Sequence, residues 1–119
     1  MAEFKSPMHE MAQTMPTQFW NDSCSISELT YALEHGAVGA TTNPVIVGQV
    51  LKQELADYAP VIRALIAEHP TAREDELAWL VNEKMAVDGA KLLEPVYRAT
   101  GGKAGYISIQ TNAKYYRSA

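Results

Sequence analysis

The chain has 119 residues, 47% hydrophobic and 20% charged, which is an ordinary composition for a single globular domain. With a net charge of −4 and no cluster of basic residues, nucleic acid is not an expected partner. There is no apolar run near the roughly 20 residues of a membrane span, no signal peptide pattern and only one cysteine, Cys24, so we expect a cytoplasmic protein without membrane contact.

The first expected elements are an amphipathic helix and a short strand. Phe4 and several methionines recur at helical spacing over residues 2–14, which predicts a helix that covers one end of the fold. Residues 17–22 are the first strand candidate, and the alternation of side chains along a strand puts Gln18, Trp20 and Asp22 on the same face. Asp22 stands at the carboxyl end of this strand, and its spacing fits either a turn residue or a functional carboxylate.

A helix and a second strand follow. Ser25 and Glu28 have the spacing of a capping box, so we expect the helix to begin there and to end at Gly36 in a left-handed conformation. Small, apolar and β-branched residues at 38–42 predict a strand that packs closely on both faces.

The segment after the second strand has the pattern of a helix start. Asn43 can cap a helix with its side-chain oxygen, and Pro44 suits the first helical position because its missing N–H would have no partner there. The spacing between Asp22 and Asn43 leaves room for one helix and two short loops, which predicts neighbouring parallel strands. Their carboxyl ends would then meet at one edge, where α/β sheets and (β/α)8 barrels carry their chemistry.

The region between the second and third strands is predicted to be helical. Apolar periodicity predicts helices over residues 45–52 and 55–68. A second capping box, Thr71 with Glu74, predicts the start of a long helix that ends before the glycine pair at 101–102.

The third expected strand covers residues 104–111. Its isoleucines are expected to face the helices, since the outer face of a barrel packs on helices and is apolar, and Tyr106, Ser108 and Gln110 are expected to face inward. Gln110 stands at the carboxyl end of this strand, as Asp22 does for the first strand.

Three segments resemble the transaldolase family. Ala40-Thr-Thr-Asn-Pro44 is similar to the threonine-asparagine-proline signature of that family, although Val45 stands where a small residue is usual. Phe19-Trp-Asn-Asp-Ser-Cys-Ser25 is similar to the first-strand segment, and residues 83–93 resemble the long helix before strand three. The resemblance extends over residues 17–112.

The resemblance implies an α/β fold, the N-terminal part of a (β/α)8 TIM barrel. It would contain about three parallel strands, an N-terminal helix and extra helices between strands two and three. A complete barrel needs about 250 residues. We therefore expect residues 1–119 to form an incomplete barrel domain, which forms a homo-oligomer or associates with the missing part of the barrel.

The resemblance also implies a reaction: transfer of a dihydroxyacetone unit between sugar phosphates through a lysine Schiff base, without a cofactor or metal. It assigns catalysis to Asp22, as acid/base, and to Gln110, and it assigns substrate binding to Asn43, Thr41 and Ser108. Glutamine does not ionise, so Gln110 can orient a water or a hydroxyl group but cannot act as a base.

The family's Schiff-base lysine comes from strand four, and its phosphate-binding residues come from later strands. None of the chain's lysines is expected at the inward carboxyl end of a strand, so no Schiff-base lysine is assigned here and the 119 residues alone are predicted to be inactive. Two alternatives remain. One is a fructose 6-phosphate aldolase, a branch that can carry glutamine at the position of Gln110. The other is an inactive fragment that serves only as an interaction piece.

Overall fold

The computed structural model describes residues 3–117, which form five α-helices and a three-stranded parallel sheet. The helices are α1 (Pro7–Thr14), α2 (Ile26–Glu34), α3 (Pro44–Gln53), α4 (Leu55–Glu68) and α5 (Glu74–Ala99). The strands are β1 (Trp20–Asn21), β2 (Gly39–Thr41) and β3 (Tyr106–Ser108), and a 3-10 turn covers Ala113–Tyr115. The predicted α/β class with three parallel strands is therefore confirmed. No helix among these residues is long and apolar enough to cross a membrane.

The sheet has the order β1-β2-β3, with every pair parallel. Each strand lies inside its predicted range, 17–22, 38–42 or 104–111, and is shorter than that range. The ladder stops early because Gly105, with φ of +92°, turns the chain just before β3, and because α3 begins three residues after β2.

One face of the sheet is covered by α2 and α5. Leu29 of α2, Ala40 of β2 and Leu93 of α5 are fully buried together, and Ile107 of β3 packs against them. Ala40 and Ile107 are partners in the strand register, so they point to the same side. The prediction that the isoleucine side of the third strand faces the helices is confirmed at Ile107.

A second apolar cluster joins α3, α4 and α5. The loop after β1 contributes Cys24 to this cluster. Its buried residues are Cys24, Val47, Val50, Tyr58, Val81 and Met85. Above this cluster the Glu54 carboxylate links distant parts of the chain, since it accepts hydrogen bonds from Ser25 Oγ at 2.6 Å and Ser27 Oγ at 3.4 Å. The corner between α3 and α4 is thereby tied to the N-terminus of α2.

The predicted boundaries of α2 and the first helix agree only in part with the structure. Ser25 caps α2 and Gly36 has φ of +93°, both as predicted. The backbone N–H of Ser25 donates to Ser23 Oγ at 3.1 Å, however, and not to Glu28. The first helix begins at Pro7 instead of residue 2, because Ser6 caps it, and Ala2 lies outside the described residues.

The predicted capping box at Thr71 is wrong. The backbone N–H of Ala72 donates to the carbonyl of His69 at 3.0 Å, so this segment is a turn. Helix α5 begins at Glu74, and the Glu76 carboxylate accepts a hydrogen bond from the backbone N–H of Arg73 at 2.8 Å.

Two glycines allow a matched test of how closely α5 approaches β3. Gly101 and Gly105 both have positive φ, at +60° and +92°, but a Cβ at Gly101 has open space whereas one at Gly105 would collide with the backbone of Tyr97. We expect Gly101→Ala to cost about 1 kcal/mol of unfolding free energy from the backbone conformation alone. Gly105→Ala adds overpacking and should cost about 2–4 kcal/mol. Urea unfolding of both variants checks this, and equal losses would contradict the close approach.

The stability of the folded chain should also fall at alkaline pH. Burial raises the pKa of Tyr58 to about 12, with a smaller contribution from the nearby Glu54 carboxylate. An unfolded tyrosine titrates near pH 10. The folded chain therefore holds the phenol proton more tightly, and the stability gained below pH 10 is lost as the pH rises from about 10 to about 12.

Comparison with Tyr58→Phe isolates the contribution of this phenol. Burial also raises the pKa of the Cys24 thiol, but that effect is common to both chains. In urea unfolding across this range, the wild-type chain should lose more stability than Tyr58→Phe. Parallel curves would show that the Tyr58 phenol does not titrate differently on unfolding.

Candidate functional site at the carboxyl edge of the sheet

The second face of the sheet is open. In the strand register Trp20, Gly39 and Tyr106 form one row, and Thr41 and Ser108 form the next row toward the carboxyl ends. Trp20 and Tyr106 are 37% and 49% exposed, and the Tyr106 ring meets Tyr97 of α5 edge to face, with ring centroids 5.6 Å apart. The alternation of the strands therefore places the predicted polar residues on a face that a ligand can reach.

Asp22 and Thr41 form the central contact of this edge. Asp22 follows β1 directly, and Thr41 Oγ1 of the neighbouring strand donates a hydrogen bond to Asp22 Oδ1 at 2.6 Å. This length is typical of a hydroxyl bound to a carboxylate. The side chain of Asp22 is exposed, and its Oδ2 has no partner in the described part of the chain. Thr41 thus orients the carboxylate and leaves one oxygen available for a proton exchange.

Asn43 caps α3, as predicted. Its Oδ1 accepts hydrogen bonds from the backbone N–H groups of Val45 at 2.9 Å and Ile46 at 3.0 Å. Because the oxygen is committed to the helix, the Nδ2 group is the part of Asn43 that can contact a ligand. Asn43 is therefore a hydrogen-bond donor at this edge.

Ser108 and Gln110 differ in how firmly the fold holds them. Ser108 is the register partner of Thr41, and its carbonyl accepts a hydrogen bond from the backbone N–H of Thr42 at 3.0 Å. Gln110 lies beyond β3 and is exposed. The structure therefore brings Asp22, Thr41 and Ser108 together on adjacent strands and places Gln110 in the segment that follows them.

The Trp20 ring packs over Gly39 of the neighbouring strand, a contact that the sequence patterns did not predict. A Cβ at Gly39 would lie 2.6 Å from two atoms of the Trp20 indole, so the ring lies directly over this glycine. The indole is one row below Thr41, on the same face. The available signal was the spacing: Trp20 precedes Asp22 by two residues, and Gly39 precedes Thr41 by two.

Cys24 and Thr42 lie behind this edge and have a structural role. Cys24 is fully buried, and burial raises the pKa of its thiol, which disfavours the reactive thiolate. The Thr42 hydroxyl is near enough to oppose that shift, yet its Oγ1 forms no well-aligned hydrogen bond within residues 3–117. Neither group is placed to act as a nucleophile, since both are buried.

The lysines of residues 3–117 lie outside the three strands. No lysine lies in a strand; they occur at the following positions: Lys5, Lys52, Lys84, Lys91, Lys103 and Lys114. Three of them form ion pairs: Lys84 and Lys91 with Asp88, at 2.7 Å and 4.0 Å, and Lys114 with Asp75 at 2.6 Å. In the described part of the chain, no three His, Cys, Asp or Glu side chains cluster as a metal site.

Comparison with protein-family profiles finds no family that matches the chain, and comparison with curated proteins finds no match either. Function is therefore inferred from the geometry of the sheet edge and from the motifs of residues 19–25 and 40–44.

Substitutions at Asn43 should separate capping from ligand contact. We expect Asn43→Ala to lower the unfolding free energy by about 1 kcal/mol, because two N–H groups of α3 lose their acceptor. Asn43→Asp keeps the capping oxygen and should stay within about 0.5 kcal/mol of the wild type. Urea unfolding at pH 7 measures both, and an equal loss in the two variants would contradict the capping geometry.

Proposed function

We propose that this chain is the N-terminal part of a transaldolase-type (β/α)8 barrel. The complete enzyme would transfer a dihydroxyacetone unit between sugar phosphates. The observation that carries the proposal is the hydrogen bond from Thr41 to Asp22 at the carboxyl ends of adjacent parallel strands. Its two partners come from the two segments that resemble the family's first- and second-strand motifs.

The chemistry divides between this edge and a lysine supplied from outside residues 1–119. That lysine forms an imine with the substrate ketone, and the imine accepts the electron pair when the carbon–carbon bond breaks. The hydroxyl on the departing carbon loses its proton to the free oxygen of Asp22 as the aldehyde forms, and returns it in the reverse transfer. Thr41 positions this carboxylate, Asn43 donates from Nδ2 to a substrate hydroxyl, and Ser108 lines the same face.

The open sheet supports a requirement for further strands. β1 and β3 are the two edges of the described sheet, and unpaired strand edges favour association. The exposed rings of Trp20 and Tyr106 would be covered when the barrel closes. We therefore propose that the remaining strands come from the missing part of the barrel or from further copies, and that residues 1–119 alone are inactive. The proposed reaction uses no metal or organic cofactor.

A related aldolase is the second candidate. It would release dihydroxyacetone instead of transferring it to an aldehyde acceptor. Gln110 is the one residue that favours this branch, because the fructose 6-phosphate aldolases that the chain resembles can carry glutamine at this position.

Borohydride trapping tests the proposal directly. The natural gene product is incubated with fructose 6-phosphate, reduced with borohydride and analysed by peptide mass spectrometry. We expect one lysine outside residues 1–119 to carry the reduced adduct. Formation of a new sugar phosphate when an aldehyde sugar phosphate is added supports the transaldolase, whereas release of free dihydroxyacetone supports the aldolase. Absence of any trapped adduct in the folded gene product overturns both.

Variants of the central contact test the assigned roles in the same gene product. Asp22→Asn should lower kcat by about 10²- to 10⁴-fold, because the amide cannot take the proton. Thr41→Val should lower kcat by about tenfold, the loss of one orienting hydrogen bond, and Thr41→Ser should restore it. Near-normal turnover in Asp22→Asn would show that another group performs the acid/base step.

A further inference from the structure

An apolar groove lies between α3, α4 and α5, on the helical side of the molecule. It has a volume of about 500 Å³ and is lined by Val47, Gly48 and Leu51 of α3, with Ile62 of α4 and Val81 of α5. This volume is within the range of roughly 300–1,000 Å³ that small-molecule sites occupy. We call it the α3–α5 groove.

One polar side chain in this lining has an unmet hydrogen bond. Asn82 of α5 is 5% exposed, and its Oδ1 has no hydrogen-bond partner within residues 3–117. Buried acceptors without a partner are rare in native proteins because the lost hydration is not replaced. Asn82 is among the residues that line the groove, and the terminal torsion of an asparagine has broad, roughly two-fold energy wells, so the carboxamide can present its oxygen or its nitrogen to an occupant.

Two further features restrict the occupant. A Cβ at Gly48 would meet nothing within 4 Å, so the α3 wall has open space. Glu74 and Asp75 are also among the lining residues, and the Asp75 carboxylate is paired with Lys114. Acidic residues in the lining disfavour an anion, and the apolar walls disfavour a desolvated cation.

We propose that the α3–α5 groove is a binding site for a small uncharged molecule with an apolar ring or chain and one hydroxyl group. The hydroxyl occupies the unmet position at Asn82. A hydroxyl both donates and accepts, so it satisfies the carboxamide in either orientation of its oxygen and nitrogen. This site lies apart from the Asp22–Thr41 edge and does not depend on the proposed sugar-phosphate chemistry.

Phenol and toluene form a matched pair of probes, since they have the same number of heavy atoms and differ in one hydroxyl. Each is titrated into the 15N-labelled chain while the amide of Gly48 and the side-chain amide of Asn82 are followed by NMR. We expect saturable shifts at both positions, with phenol binding about tenfold more tightly than toluene, the contribution of one hydrogen bond.

Two variants serve as controls. Asn82→Leu has a similar volume and no unmet acceptor, so it should lower phenol affinity about tenfold, to that of toluene. Gly48→Leu fills the open space on the α3 wall and should reduce binding of both probes, and it keeps the test decisive if Asn82→Leu fails to fold. The proposal is overturned by equal affinities for the two probes, by shifts that do not saturate, or by a water that stays on Asn82 when phenol is bound.

Discussion

The packing of α5 against β3 is the contact on which the rest of the structure depends. Strands of two and three residues form few ladder hydrogen bonds, and so small a sheet is not stable without cover. Gly89 lets α5 approach so closely that a Cβ there would lie 2.9 Å from Ile107 Cδ1. Burial of a leucine such as Leu93 at this interface contributes about 2 kcal/mol. Because the helices supply that stability from one side, the opposite face of the sheet is left open for polar chemistry.

The position of Asp22 depends on a second contact at the other end of the fold. The Glu54 carboxylate binds Ser25 and Ser27 at the start of α2, where a negative charge also interacts favourably with the helix dipole. This link, together with the burial of Cys24, fixes the loop that begins at Asp22. The loop therefore sets the backbone of Asp22, whereas Thr41 on the neighbouring strand sets the direction of its carboxylate.

The features that sequence patterns could predict are local ones. The caps at Ser25 and Asn43 and the helix end at Gly36 depend on residues within one turn, and the structure has all three. The prediction at Thr71 was wrong for a related reason. The spacing of a capping box is present, but a backbone turn forms there instead, and α5 begins at Glu74. Alternation also continued beyond the paired residues, so the strand ranges were too long. No periodicity reports contacts between distant segments, such as the bonds of Glu54, the placement of the Trp20 ring over Gly39 or the unmet acceptor of Asn82.

The polar edge of the sheet and the α3–α5 groove adjoin at the start of α3 but have different linings. Asn43 belongs to the polar edge, while Pro44, its neighbour, already lines the α3–α5 groove. A sugar phosphate is anionic and rich in hydroxyls, so it suits the hydrogen-bonding groups of Asp22, Thr41 and Asn43 and is poorly suited to an apolar lining that includes Glu74. An apolar molecule with one hydroxyl has the opposite preference, since burial of its apolar surface supplies most of its binding free energy. The chemistry of the two linings therefore favours a different ligand for each of the two proposed sites.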